Sequence, residues 1–174
     1  MNVVTKHANR DKIYEIAAFL DSCWKSEYRG IVADDYLDSM SSDERHKALL
    51  KRFDKNASDF LIMTKDDSLI GAAVFGKSFI EGFESGGEIS AIYLHKDYIG
   101  KGYGHKLFTE IERILTEKCY PYFILDVLKN NTRAFEFYAK HGYEKVAERS
   151  FKMGEQDYPI VIMQKYFKGD IYYV

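Results

Sequence analysis

The stretch DYIGKGYGHKLF, residues 97–108, decides how this chain is read. Gly100, Gly102 and Gly104 alternate with other residues, and a helical pattern starts directly after them. Glycine loses more conformational freedom on folding than any other residue, so such a run needs a cause. Upstream lies EISAIYL, residues 88–94, of strand type. Downstream, Leu107, Phe108, Ile111, Ile114 and Leu115 recur at helical spacing, which predicts a helix over residues 102–118. Strand, glycine turn and helix start together outline an anion site. The first amides of a helix lack internal partners, the macrodipole adds positive charge, and glycines let a phosphate reach bare N–H groups. Gly100, Gly102 and Gly104 are therefore candidates to cradle a phosphate or pyrophosphate, with Lys101, His105 and Lys106 adding charge. A plain turn is the competing reading. Spacing excludes two other phosphate loops. The dinucleotide fingerprint needs glycine where His105 or Leu107 stands, and no triphosphate-loop string is present.

The remainder of the chain sets bounds. Its 174 residues suffice for one domain, residues 1–174, with a real core. A net charge of -2 and a pI near 6.2 exclude the basic signature of a nucleic-acid binder. With 14 Tyr, 12 Phe and only 2 Pro, the composition is that of a folded chain. Cys23 and Cys119 fit no disulfide framework and no metal spacing, so they read as reduced, buried residues of a cytoplasmic protein. MNVVTKHANRDK lacks a signal-peptide core, and no apolar run reaches membrane-spanning length.

The expected elements begin with a strand at residues 2–6 and a helix from Asn9 or Asp11 to about Tyr28. Ser41 and Glu44 form a capping box that opens a second helix, burying Leu49, Leu50 and Phe53. Residues 59–65 and 69–79 flank Asp66, Asp67 and Ser68 as a hairpin. EGFESGG, residues 81–87, is a glycine-rich turn. YFILDVL, residues 122–128, has the apolar character of a strand covered on both faces. A short helix over residues 131–140 ends at Gly142, and strands follow at residues 143–152 and 158–167. This order predicts an α/β (α+β) fold with a mixed sheet.

SAIYLHKDYIGKGYGHKLF resembles the acetyl-CoA site of the GNAT superfamily, the GCN5-related N-acetyltransferases. That signature, Gln/Arg-x-x-Gly-x-Gly/Ala, falls on Ile99-Gly100-Lys101-Gly102-Tyr103-Gly104, with Ile99 where Gln or Arg is usual. NTRAFEFYAKHGY, residues 131–143, resembles the family's later Asn-x-x-Ala-x-x-Phe-Tyr motif, and SFKMGEQDYPIVIM is loosely similar to polyamine acetyltransferases. The resemblance implies a sheet of about seven strands with helices on both faces. It also implies acetyl transfer from acetyl-CoA to the primary amine of a small molecule or peptide, by direct attack in a ternary complex. A homodimer is an expectation of the same kind. The alternative is a non-catalytic domain that binds or senses acyl-CoA.

Residue roles follow from the same resemblance. Ile92 and Leu94 lie on the strand that the family splays open at a bulge, where their backbone groups pair with the pantetheine arm and an amide stabilises the oxyanion. The loop from Ile99 through Lys101 and Tyr103 to His105 holds the pyrophosphate. Asn131 both caps its helix and, with Ala134, touches the coenzyme A arm. Tyr138 is the candidate acid for the leaving thiolate, although it shares a helical face with Ala134, Phe137 and His141, as a core residue would. A lysine-like amine has a pKa near 10.4, so attack requires a proton acceptor, and Glu88 is the candidate base. Trp24, Tyr28 and Glu88 are the candidate acceptor-binding residues. Together with Tyr28, the acids Asp34, Asp35 and Asp38 could attract a cationic amine, and the competing reading of these aspartates is a solvated acidic face.

Overall fold

The computed structural model describes residues 2–166, so the end of the strand expected over residues 158–167 and both chain termini lie outside the described residues. Strand β1 (Val3–His7) precedes α1 (Ile13–Tyr28), α2 (Asp34–Ser39) and α3 (Ser42–Asp54). Then come β2 (Ser58–Lys65), β3 (Ser68–Lys77), β4 (Gly87–Leu94), α4 (Tyr103–Glu117), β5 (Tyr122–Leu128), α5 (Thr132–Lys140), β6 (Glu144–Met153) and β7 (Gln156–Tyr166). All seven strands join one sheet in the order β1-β2-β3-β4-β5-β7-β6. Among the described strands, only β4 and β5 run parallel.

Alternation along β2 explains the layers. Phe60 and Ile62 face one side, where Ile13, Ile16 and Leu20 of α1 and Leu49 of α3 cover them. Leu61 and Met63 face the other side, under Leu107, Phe108 and Ile111 of α4. Both faces are buried, which is why these strands read as apolar runs. The capping box is present, with Ser41 Oγ accepting from Glu44 N. Asp66 and Asp67 take φ of 47° and 65°, the paired left-handed geometry of a two-residue hairpin turn.

Two sequence expectations need correction. Cys119 is exposed, at the turn after α4, and only Cys23 is half-buried. Helix α2 lies inside the run read as a loose acidic face. Six residues with weak propensity fold there because Leu37 is fully buried beside Tyr28, Val32 and Leu128. Arg29 holds Asp34 at 3.1 Å and Asp38 at 2.8 Å, so those aspartates are indeed surface groups.

The feature that positions the site is a break in the sheet. β4 and β5 pair only at Gly87–Phe123 and Glu88–Ile124, then diverge. In the β3 pairing, Phe75 faces Ile89 and Val74 faces Ala91, so Ser90 is an extra residue and forms a β-bulge. Beyond it, His95 N donates to Ile70 O, which fixes the alternation of the antiparallel ladder. Tyr93 and Ala91 exchange bonds with β3, and the amides of Ile92 and Leu94 point to the side that β5 has left.

Phe108 locks the helical layer over this break. It is fully buried, with ring centroids 5.2 Å from Phe137, 5.7 Å from Tyr138 and 5.6 Å from Tyr143. Phe108→Ala is expected to cost about 3–5 kcal/mol, the range for a large buried aromatic. Denaturant titration checks this, and a loss under about 1 kcal/mol would contradict the packing described.

Candidate active site

The divergence of β4 and β5 opens a cleft of about 700 Å³. Its walls are the second half of α1, strand β4, the glycine loop, the middle of β5 and one face of α5.

At one end lies the loop. Gly100 and Gly102 have φ of 77° and 81°, a conformation that other L-residues enter at a cost of roughly 1–2 kcal/mol. A Cβ on either would meet nothing within 4 Å, so the space above these backbones is open cleft. Gly102 is the N-cap of α4, and no side chain caps that helix or places an acid in its first turn. The first amides of α4 are thus free for an anion. Gly104 differs, since a Cβ there would make ordinary contacts, 3.5 Å from Leu94 and 3.7 Å from Phe137. Ile99 and His105 also line the cleft. Lys101 and Tyr103 do not: both turn to Tyr98, the ammonium 5.7 Å and the ring 6.0 Å from its centroid. An open, uncapped helix start with left-handed glycines fits a diphosphate, and Lys101 and Tyr103 serve the loop's shape.

In the middle, Ile92 and Leu94 of β4 and Ala134 and Tyr138 of α5 line the cleft. The Tyr138 ring packs 5.5 Å from Phe137. Burial, helped by the nearby Tyr28 and Asp126, pushes its hydroxyl pKa upward, so it keeps its proton at neutral pH.

At the far end, side chains replace backbone. Tyr28 and Tyr93 hydroxyls lie 3.3 Å apart. Asn131 Oδ1 accepts from Ala134 N at 3.1 Å, which turns Asn131 Nδ2 toward Tyr28 Oη at 3.4 Å. Asn131 therefore caps α5 and orients Tyr28, spending both ends of its amide on the protein. Trp24 stands behind Tyr28, ring centroids 4.4 Å apart, and is not part of the cleft wall.

Glu88 is a correction. It does not line the cleft. Its buried carboxylate accepts from Phe79 N at 2.6 Å, Ser78 Oγ at 3.2 Å and Ser90 Oγ at 2.6 Å. Arg52 reaches the same cluster through Ser58 and Ser90, at 2.8 and 2.9 Å. Glu88 thus pins the bulge residue Ser90. Two carboxylates do line the cleft: Glu27 of α1, ion-paired with Arg133 of α5, and Asp126, on β5, beside Val127. Enclosed by the cleft walls yet reached by water, Asp126 has its pKa raised by burial and then by the charge of Glu88. The sequence carried one signal for it, a lone acid inside the apolar run YFILDVL. Among the described residues no group of three or more His, Cys, Asp or Glu is placed to hold a metal, and no helix is long and apolar enough to cross a membrane.

Comparison with known proteins accords with this geometry. The profile of the Acetyltransferase (GNAT) family matches residues 17–143. The uncharacterized N-acetyltransferase YuaI of Bacillus subtilis is 28% identical over 153 residues, covering 87% of this chain and 86% of its own. A spermidine N(1)-acetyltransferase of Thermoplasma acidophilum is 30% identical over 153 residues, covering 84% and 86%. A crystal structure of the PaiA N-acetyltransferase from Thermoplasma acidophilum in complex with coenzyme A superposes with a TM-score of 0.76 at 25% identity. It covers 96% of this chain and 100% of that one.

Glu88 and Asp126 should separate in stability measurements. Glu88→Gln turns an amide toward three donors and is expected to cost about 1–3 kcal/mol at pH 7. Asp126 has a folded-state pKa above its unfolded value, so its ionisation opposes folding as pH rises past about 4. Asp126→Asn should leave stability at pH 7 unchanged or higher. Equal losses in denaturant titrations of the two variants would contradict the assignment.

Proposed function

The chain belongs to the acetyltransferase (GNAT) family and is an acetyl-CoA-dependent N-acetyltransferase, and we propose that it acetylates the primary amine of a cationic acceptor by direct attack in a ternary complex. The observation that carries this reading is the break between β4 and β5, which joins an anion-accepting loop to a water-accessible carboxylate in one cleft. Acetyl-CoA supplies the activated thioester.

The chain's residues supply the rest. Amides of Ile92 and Leu94 hold the donor's arm as an added strand would be held, and one of them faces the carbonyl oxygen on which charge develops. Asp126 takes a proton from the acceptor ammonium, directly or through water, so that the free amine can attack. The new C–N bond forms as the C–S bond breaks, the sulfur leaves as thiolate, and the second proton on the new amide nitrogen passes to water in the cleft. Tyr138 donates a hydrogen bond to the thiolate. Since burial lifts the Tyr138 hydroxyl above its usual value near 10, and a thiol ionises near 8.5, full proton transfer from tyrosine to sulfur is uphill. Stabilisation of the thiolate is therefore Tyr138's contribution, with positioning supplying much of the remaining rate.

The acceptor end combines Asp126 with the rings of Tyr28 and Tyr93, a setting suited to an alkyl ammonium, while Glu27 is engaged by Arg133. The spermidine N(1)-acetyltransferase relative supports a polyamine as its source.

Gly102→Glu fills the loop and adds charge, so calorimetric acetyl-CoA affinity should fall at least tenfold, about 1.4 kcal/mol. Unchanged affinity would remove the loop from donor binding. Tyr138→Phe should lower kcat about tenfold with acetyl-CoA affinity intact, and wild-type turnover in that variant would end its role. With Asp126 acting as base, activity needs its ionised form, so the rate should decline as pH drops through its raised pKa. Asp126→Asn should lower kcat at least 10²-fold and erase that acid limb. A panel of amines that includes spermidine, scored by free-thiol release, tests the acceptor class. Tight acetyl-CoA binding without thiol release for any amine would favour a sensor.

A further inference from the structure

Two histidines outside the steps above form a hydrogen-bonded chain that ends at the glycine loop. His141 follows α5, and its Nδ1 lies 2.8 Å from Phe137 O. Its Nε2 lies 2.9 Å from Nδ1 of His105, which is in the first turn of α4. Rings of Phe108 and Phe137 pack against His141, centroids 4.6 and 4.4 Å away, and hold it in place.

The chain has a direction. A carbonyl oxygen carries no hydrogen, so His141 Nδ1 must be the protonated nitrogen. In the neutral pair His141 Nε2 is then an acceptor, and His105 Nδ1 must donate to it. The other neutral tautomer of His105 would set two lone pairs against each other at 2.9 Å. Consequently the neutral pair leaves a lone pair on His105 Nε2, the nitrogen free to serve the cleft that His105 lines beside Gly102 and Gly104. A lone pair repels a phosphate. One added proton reverses this: His105 Nε2 becomes a donor, and a proton sits between His105 Nδ1 and His141 Nε2.

We infer that His141 is a positioning residue that fixes the tautomer of His105, so that gripping the donor's diphosphate at this loop takes up one proton. The inference rests on the reading that the loop holds that diphosphate. An anion beside the ring favours its charged form, so the linkage has a definite sign. Acetyl-CoA affinity is fully present where the pair is already charged and weakens as pH rises through the histidine range. The other titratable groups around this end of the cleft are His95, with Asp97 beside it, Lys96, Lys101 and Lys106.

Isothermal calorimetry of acetyl-CoA with the full chain, in buffers of different ionisation enthalpy, counts the protons taken up. Titration of the ligand's own phosphate is largely common to all variants and cancels in their differences. Near pH 8, wild type should take up about one proton more than His105→Ala, whose side chain is exposed and leaves the fold intact. His141→Phe keeps an aromatic ring between Phe108 and Phe137 but removes the acceptor. His105 can then offer Nε2–H while neutral, so proton uptake should drop well below the wild-type value while affinity changes less than tenfold. A purely structural role for His141 would not move the proton count. Equal uptake by wild type and His105→Ala, or wild-type uptake by His141→Phe, overturns the inference. If Gly102→Glu leaves acetyl-CoA binding intact, the diphosphate is not at the loop and the inference fails with that reading.

Discussion

Two ladder pairs hold β4 against β5, and then the strands part. Everything at the site depends on that limit. Backbone groups left without partners inside a protein cost free energy, so a sheet does not open in this way by accident. Here the opening is enforced by the extra residue Ser90, which is held through Glu88 and Arg52. The desolvation of the Arg52 guanidinium is offset in part by the Glu88 charge. Breaking that cluster would cost more than the neutral hydrogen bonds alone suggest, because buried charge would be left unpaired. The cluster sits behind the cleft and contributes shape rather than chemistry.

The two ends of the cleft use different materials. The loop end relies on backbone: left-handed glycines, an uncapped helix and the unpaired β4 amides. Backbone recognition is tolerant of side chains, which accounts for Ile99 where a polar residue is usual in the resembling motif. The far end relies on side chains brought from α1, β4, β5 and α5, namely Tyr28, Tyr93, Asp126 and Asn131. A carrier with a constant diphosphate suits the first arrangement, and a variable acceptor suits the second.

The same division explains what could be read from sequence. The glycine loop, the Ser41 cap, the Asp66–Asp67 turn and the Asn131 cap are local, and each was legible from a few adjacent residues. Strand and helix order followed from periodicity, because both sheet faces are covered and each helix has one apolar face. Glu88 was misread because a bulge two residues later decides which way the chain runs, and no local rule places that bulge. Asp126 and the Tyr28–Asn131 contact span some hundred residues of sequence or a whole sheet, so only the fold reveals them. Helix α2 was missed because tertiary burial of Leu37 overrides weak propensity.

In the proposed mechanism the unpaired amides of β4 receive the donor as an added strand. Residue-resolved amide hydrogen exchange, with and without saturating acetyl-CoA, tests it most directly. The account predicts that Ile92 and Leu94 exchange quickly in the free protein and slow markedly on binding, while Ala91 and Tyr93, already paired with β3, change little. Saturating binding with the Ile92 and Leu94 amides unchanged would contradict it.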